Sequence, residues 1–164
     1  MKIRTESDLY EPVRAWFEGV LSRRFPRCQV RAYDTSRTRL GTFIAQRALQ
    51  AQFPQSGVWD IQADITALIT GRRNGVAFVE CKTGPIKLRD VCQLLGYCRV
   101  VRPLAAMLLS LQPPSAILRT LLCDYGRYDV LEYDDDKRRI LLVRWDPDRG
   151  SILHAETLPP GEHL

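Results

Sequence analysis

Apolar and polar positions alternate through the middle of the chain, and this alternation predicts two neighbouring strands. Between Trp59 and Thr70 every odd position from 61 to 69 is apolar, and the even positions other than Leu68 are polar or charged. A period of two residues is that of a strand with one buried face. Residues 71–75 have the composition of a tight turn, so residues 76–82 are predicted to return as the second strand of a hairpin.

Helical spacing of apolar residues predicts helices on either side of this hairpin. They cover about residues 7–23, 40–52 and 87–102, and another helix begins after Pro113-Pro114 and ends near residue 124. Further strands are predicted at 28–33, 104–111, 129–133 and 139–145. This order favours an α/β fold with a mixed β-sheet flanked by helices.

The size and composition of the chain indicate one globular domain over residues 1–164. The chain has 164 residues, of which 45% are hydrophobic and 26% charged, as in ordinary globular proteins. The longest apolar stretch, residues 104–111, is too short for a membrane span, which needs about 18 residues. The first residues lack the apolar segment of a signal peptide, so we expect no membrane association and a cytoplasmic location. The five cysteines form no Cys-x-x-Cys pair and are expected to be reduced.

Charge is distributed unevenly along the chain and favours a nucleic-acid partner. The formal net charge is +5, and it comes from residues 1–100, because residues 101–164 carry more acidic than basic groups. Twenty of the 24 basic residues are arginines, whose planar guanidinium group suits phosphate. Genome composition or growth temperature is an alternative source of this arginine bias.

Three charged side chains are predicted to converge on one face of the hairpin. The simplest register, centred near Arg73, places Asp64 opposite Lys82 and Thr66 opposite Glu80. Because side chains alternate between faces, Glu80 and Lys82 share a face that Asp64 joins from the next strand. The other face is apolar, includes Cys81, and is expected to pack on a helix.

This grouping is suited to binding a divalent cation. Two neighbouring carboxylates repel each other unless a cation lies between them, and oxygen ligands favour Mg²⁺ or Mn²⁺. Lys82 could hold a water molecule or a developing negative charge beside such an ion. The alternative is a surface ladder of ion pairs with a purely structural role, worth less than about 1 kcal/mol.

The motif residues resemble the signature of the PD-(D/E)XK nuclease superfamily, which has the restriction-endonuclease-like fold. Ala63-Asp64-Ile65 is followed sixteen residues after the Asp by Glu80-Cys81-Lys82, although Ala63 stands where Pro is frequent. Gln93 and Tyr97 on the next predicted helix are similar to the Gln-x-x-x-Tyr element of the RecB-type branch. The resemblance implies an αβββαβ core over about residues 6–133, with the C-terminal strands at 139–158 as an extension.

The resemblance also implies roles for particular residues. Asp64, Glu80 and the backbone carbonyl of Cys81 would hold Mg²⁺ or Mn²⁺, and Lys82 would position the attacking water. Gln93 and Tyr97 would orient the site or the strand.

Members of the superfamily commonly carry a Glu in the first helix near the metal, and two residues compete for this role. Glu6 is preferred to Glu11 because it projects from the apolar face of that helix, where a carboxylate needs a reason to be present; the alternative role of Glu6 is a helix N-cap. Asp60 is a rival of Asp64 on the same strand and is ranked as an outer group.

The expected function is a Mg²⁺-dependent endo- or exonuclease acting on DNA, with 5′-phosphate and 3′-hydroxyl products implied by the resemblance. RNA is an alternative substrate. Four basic residues near the motifs are candidate phosphate contacts: Arg72, Arg73, Lys87 and Arg89.

A second hypothesis, drawn from the small size and acidic C-terminal third, is a catalytically silent nucleic-acid-binding or assembly subunit. Two cuts on a duplex favour two-fold symmetry, so a homodimer is also expected. Residues 34–59 and 146–164 receive no role.

Overall fold

The computed structural model describes residues 3–163, which form four helices and six strands. The helices are α1 (Ser7–Arg24), α2 (Leu40–Gln46), α3 (Leu88–Val101) and α4 (Ala116–Arg119). The strands are β1 (Cys28–Asp34), β2 (Ile65–Gly71), β3 (Gly75–Lys82), β4 (Ala105–Ser110), β5 (Ile140–Asp146) and β6 (Ser151–Ile152). These bounds confirm the predicted α/β class and the predicted positions of α1, β1, β3, α3 and β4 to within one or two residues.

The six strands form one mixed sheet in the order β1-β2-β3-β4-β5-β6. The pairs β1–β2, β2–β3 and β5–β6 are antiparallel, whereas β3–β4 and β4–β5 are parallel. Helix α3 makes the crossover between the parallel strands β3 and β4, as parallel pairing requires. Along the chain the elements follow the order α1, β1, β2, β3, α3, β4, with α2 inserted between β1 and β2.

Both faces of the sheet are covered by apolar side chains. On one face, helix α1 packs Leu9, Val13, Phe17 and Leu21, all fully buried, against odd-numbered residues of β2 and β3. On the other face, α3 packs Val91, Leu94 and Cys98 against even-numbered residues such as Phe78 and Leu108. Burial on both faces means that polar groups of the sheet can reach solvent chiefly at the strand ends.

The long predicted strand over residues 59–70 is wrong in its first half, because β2 begins only at Ile65. The backbone carbonyls of Trp59 and Ile61 instead accept hydrogen bonds from Gly41 and Leu40 at the start of α2. Ile61 is therefore buried on the α3 side of the sheet, together with Ala63, and not on the α1 side as the alternation predicted.

Two further predictions, for α2 and for residues 129–133, need correction. Helix α2 ends at Gln46 rather than near residue 52, because Ala48 adopts a left-handed backbone conformation with φ of 54°. Residues 128–131 form a 3₁₀ turn instead of a strand, with only an isolated bridge from Glu132 to Arg139. Strands β5 and β6 continue the same sheet beyond β4, the last strand of the αβββαβ order.

The described residues include no helix with the length and apolar character that crossing a bilayer requires.

Truncating the buried face of α3 is expected to be far more costly than truncating its exposed face. Leu94 is fully buried, whereas Val100 on the same helix is 53% exposed. We expect Leu94→Ala to lower the free energy of unfolding by about 2–5 kcal/mol, measured by urea denaturation. Val100→Ala is the control and should change it by less than about 0.5 kcal/mol. Similar losses in both variants would contradict the packing of α3 on the sheet.

Candidate active site

The β2–β3 hairpin brings Asp64 beside Glu80 at one end of the sheet. Ile65 lies opposite Val79, so the next positions along the two chains are Asp64 and Glu80. The predicted register, with Asp64 opposite Lys82, is therefore wrong by two residues. A shift of two residues leaves every side chain on its predicted face, because side chains alternate with a period of two.

The turn explains the difference in register. Ile69 pairs with Gly75, so the turn is centred at Arg72, one residue earlier than the sequence pattern suggested. The side chain of Asn74 accepts a hydrogen bond from the backbone N–H of Gly71 at 3.1 Å. Gly71 has a φ of 123°, a conformation that favours glycine.

Two donors fix the carboxylate of Asp64. The hydroxyl of Tyr10, on helix α1, donates to one oxygen at 2.8 Å, and the backbone N–H of Cys81 donates to the other at 2.9 Å. Burial and the neighbouring Asp64 raise the pKa of Tyr10, so the phenol remains a neutral donor at physiological pH. Asp64 is thereby held by one group from the helix and one from the adjacent strand.

Glu80 is the most buried carboxylate of this group. Its side chain is 7% exposed, and no donor reaches one of its oxygens, the buried Oε1, when the carboxylate is ionised. When protonated, the carboxyl group can share a hydrogen bond with the side chain of Asp64. Burial and the negative charge of Asp64 raise the pKa of Glu80 to about 8, although the ammonium of Lys82 opposes this effect. An unpaired buried oxygen beside a second carboxylate is a position where a cation would remove an electrostatic cost.

Lys82 lies between two carboxylates. Its Nζ atom is 3.7 Å from Glu6 and 3.8 Å from Glu80. Burial disfavours the charged amine, but the negative charges of Glu6, Glu80 and Asp64 outweigh this effect and raise the pKa of Lys82. Lys82 is therefore a charged ammonium at neutral pH. Glu6, at the N-cap position of α1, makes no side-chain capping bond and instead faces Lys82.

A cavity of about 490 Å³ opens beside Lys82 at the end of β3. It lies between the N-terminal ends of α1 and α3 and is lined mainly by polar and charged residues, namely Glu6, Lys82, Lys87, Arg89, Asp90 and Gln93. The carboxylate of Asp90 accepts a hydrogen bond from the backbone N–H of Lys87 at 2.8 Å and so fixes the start of α3. The cavity is therefore an open, polar space that is lined by three positive side chains and two carboxylates.

Gln93 and Tyr97 lie one turn apart on α3, as their spacing predicted. The side-chain amide of Gln93 donates to the hydroxyl of Tyr97 at 3.3 Å. Gln93 lines the cavity, whereas Tyr97 is half-buried and packs on the core. The structure therefore brings Gln93 to the cavity directly and places Tyr97 behind it.

The two rival carboxylates lie outside the group. Glu11 is 76% exposed and pairs with Arg14 at 2.6 Å. Asp60 is 70% exposed and pairs with Arg39. Between the alternatives that the sequence left open, the structure brings Glu6 and Asp64 together with Lys82 and Glu80.

The four candidate phosphate contacts divide into two places. Lys87 and Arg89 line the cavity next to Lys82. Arg72 and Arg73 occupy the hairpin turn at the opposite end of β3, about 20 Å from Glu80 at a rise of about 3.3 Å per residue. One bound phosphate group cannot contact both pairs.

Asp64 and Glu80 are the two carboxylates at this end of the sheet that could hold a divalent cation. Within residues 3–163 no three His, Cys, Asp or Glu side chains form a ready-made metal cluster. Mg²⁺ needs only one or two carboxylates because it keeps several water ligands, and Asp64 and Glu80 supply them. The Cys81 N–H points at Asp64, and the carbonyl of the same residue is directed to the same edge of the strand. Cys81 itself has a buried side chain, as predicted.

Searches with this chain against family models, curated proteins and solved structures gave no match. The chemistry available at this end of the sheet is therefore inferred from the residues themselves. It comprises two adjacent carboxylates, an unpaired buried oxygen on Glu80, the ammonium of Lys82 and an open cavity with further positive charge.

Tyr10 is the residue of this site that the sequence did not single out. Its place in the apolar stripe of α1 suggested a core residue, and its ring does pack against that core. The signal that was present is its position four residues after Glu6, which places both side chains on one side of α1. Only the packing of α1 on the sheet shows that this side reaches Asp64.

Replacing Glu80 by Gln is expected to stabilise the protein in a pH-dependent way. The pKa of Glu80 is raised to about 8 from an ordinary value of 4.5, so folding takes up a proton between these pH values. The stability contributed by protonated Glu80 is complete below about pH 4.5 and is lost as the pH rises towards 8. At pH 8.5 in EDTA, the free energy of unfolding of Glu80→Gln should exceed that of the parent by on the order of 3 kcal/mol. Urea denaturation measures this difference.

The same comparison at pH 5 should show little difference between Glu80→Gln and the parent. Glu11→Gln is the matched control, and its stability should differ from the parent by less than about 0.5 kcal/mol at either pH because Glu11 is exposed. A Glu80→Gln difference that is equal at both pH values would contradict the raised pKa.

Proposed function

We propose that this protein is a metal-dependent nuclease of the PD-(D/E)XK type that hydrolyses phosphodiester bonds of DNA. One observation carries the proposal: Asp64 lies beside Glu80, and Lys82, 3.8 Å from Glu80, lines an open, polar cavity. A structural ladder of surface ion pairs accounts poorly for this arrangement, because Glu80 is almost fully buried and retains an unpaired oxygen.

The fold supports the proposal at a coarser level. The order of elements and the mixed sheet agree with the αβββαβ core that the resemblance implies. The positions of the motif residues also support it: Asp64 precedes β2, Glu80 and Lys82 lie among the last residues of β3, and Gln93 lies on the following helix.

Asp64, Glu80 and the carbonyl of Cys81 are the groups that would hold Mg²⁺ or Mn²⁺. When bound, the ion would acidify a water molecule and neutralise negative charge on the phosphate. The raised pKa of Glu80 belongs to the protein without a cation and would fall when one binds, because opposite charge favours the ionised carboxylate.

The surrounding side chains supply the other requirements of phosphodiester hydrolysis. Lys82 carries a full positive charge and can hold a water molecule or a phosphate oxygen by a hydrogen bond. Glu6 restrains that ammonium from the side of α1. Lys87 and Arg89 offer positive charge along the cavity, where neighbouring phosphates of the strand would lie. Gln93 can donate or accept a hydrogen bond at the same wall.

The nuclease proposal predicts which variants lose activity. The parent should cut plasmid or oligonucleotide DNA in Mg²⁺ or Mn²⁺ and not in EDTA. Lys82→Ala, Glu80→Gln and Asp64→Asn should each lower the rate by at least about 100-fold, because each removes a group that acts on the transition state. The measurement is the initial rate of strand cutting on gels, with circular dichroism to confirm folding.

Asp60→Asn and Glu11→Gln are the matched controls, since they make the same chemical changes at exposed carboxylates outside the site. They should cut at the parental rate. If Lys82→Ala and Asp64→Asn cut as fast as the parent, the proposal is wrong. If the parent never cuts but binds DNA in a salt-dependent way, and Mn²⁺ calorimetry shows no binding sensitive to Asp64→Asn, the silent binding subunit is the correct function. Parallel assays with RNA identify the substrate class.

Tyr10→Phe is expected to weaken metal binding without removing any metal ligand. The substitution deletes the 2.8 Å hydrogen bond to Asp64 and leaves that carboxylate held by Cys81 alone. Loss of such a supporting partner typically costs about 10-fold or more in metal affinity, which Mn²⁺ calorimetry would measure. Tyr125→Phe, at a residue that is 73% exposed, is the control. Equal affinity in Tyr10→Phe and the parent would show that Tyr10 does not position Asp64 for a metal.

A further inference from the structure

A second positively charged surface lies at the opposite end of the β2–β3 hairpin from the carboxylates. It is a groove of about 430 Å³ formed where α1 ends, where β1 begins and where the hairpin turns. We call it the arginine groove, and its principal lining residues are Arg24, Phe25, Pro26, Arg27, Arg72 and Arg73. Arg72 and Arg73 were candidate phosphate contacts in the sequence, but the first site leaves them unused.

Backbone contacts fix the parts of the arginine groove against each other. Cys28 pairs with Gly71 across β1 and β2, and the Cys28 thiol lies 3.7 Å from the carbonyl of Arg73. The backbone N–H of Phe25 closes α1 by donating to the carbonyl of Leu21 at 2.8 Å. The four arginines are therefore carried by ordered backbone, and their side chains are all exposed.

The charge of the arginine groove is not neutralised within the described chain. Residues 19–33 and 65–79, which supply every residue that lines the groove, contain no Asp or Glu. Asp136 and Glu162 line a neighbouring cavity with Arg24, but their salt bridges are with Arg138 and Arg139. Over residues 3–163, none of Arg24, Arg27, Arg72 and Arg73 takes part in a salt bridge, although ten other arginines do. Like charges held together without partners repel each other, so a polyanion that binds them relieves that repulsion.

The shape and chemistry of the groove favour a nucleic-acid backbone. Guanidinium groups bind phosphate through two parallel hydrogen bonds, and all four cations here are arginines. The floor is apolar at Phe25 and Pro26, and the Arg24 guanidinium lies 5.7 Å from the Phe25 ring centroid. Arginine beside an aromatic ring is a combination that nucleic-acid-binding grooves use for sugars and bases.

We propose that the arginine groove is a second DNA-backbone contact, which anchors the substrate away from the site of cleavage. The inference rests on the proposed DNA substrate, but it does not require that the protein cuts DNA. Gly75, where β3 begins, is five residues from Glu80, or about 17 Å, and Arg73 lies two residues further on in the turn, so the separation is about 20 Å. Because stacked nucleotides rise about 3.4 Å each, a duplex that reaches both places spans about six base pairs.

The test compares two double variants in DNA binding. Arg72→Gln/Arg73→Gln removes two charges from the groove, and Arg99→Gln/Arg119→Gln removes two exposed arginines that also lack salt bridges within residues 3–163. Binding of a fluorescent 20-base-pair duplex is measured by anisotropy in EDTA, between 50 and 200 mM salt. Thermal unfolding of both double variants is measured to check that the substitutions leave the fold intact.

We expect the groove variant to bind about 5-fold or more weakly at 100 mM salt. The slope of log affinity against log salt should fall in magnitude by about 1.8, the value for two lost phosphate contacts on duplex DNA. The control variant should bind within about 2-fold of the parent. If both variants bind equally, or if the groove variant binds as the parent does, the inference is wrong.

Two other outcomes separate this inference from the nuclease proposal and from a membrane role. A parent that cuts DNA, with a groove variant that binds the duplex unchanged, contradicts this inference alone. A parent that binds DNA through the arginine groove but never cuts it supports this inference and contradicts the nuclease. If the groove variant loses binding to phosphatidylserine vesicles while its duplex affinity is unchanged, the groove binds a membrane surface and the inference is overturned.

Discussion

The candidate active site depends on two carboxylates held side by side, of which Glu80 is almost fully buried and Asp64 is half-buried. Asp64 and Glu80 meet across the β2–β3 hairpin, and burial together with the charge of Asp64 raises the pKa of Glu80 to about 8. The donors on Asp64 and the ammonium of Lys82 offset part of this repulsion. One oxygen of Glu80 stays unpaired, and that unpaired oxygen is where a divalent cation would add the most stability.

Much of the hairpin could be predicted from the sequence because the side chains of a strand alternate between only two faces. Once the strands were placed, Glu80 and Lys82 had to share a face, and Cys81 had to be buried on the other. The register was wrong by two residues, since it depends on the geometry of the turn at Gly71 to Asn74, which the apolar pattern does not describe. The error exchanged Lys82 for Glu80 as the residue opposite Asp64 and left the set of converging side chains unchanged.

Other features depended on contacts between residues distant in sequence and could not be predicted in the same way. The alternation before Ile65 continues as in a strand, but the backbone of Trp59 and Ile61 bonds to α2 instead. The helical periodicity of α1 predicts a core position for Tyr10, because it shows which side of the helix is apolar. It does not show that the hydroxyl of Tyr10 reaches Asp64. Each error arose where a local pattern was compatible with two different partners.

The covered sheet also determines where polar chemistry can be located. Helices α1 and α3 bury the two faces along most of β2 and β3, so charged side chains can emerge only where the strands end. One end carries Asp64, Glu80 and Lys82, and the other carries the turn arginines Arg72 and Arg73. The length of β3 therefore fixes the distance between the carboxylates and the arginine groove, and it does so through backbone hydrogen bonds rather than flexible loops. Two charged surfaces at a constant separation suit a substrate that is itself a regular, repeating polyanion.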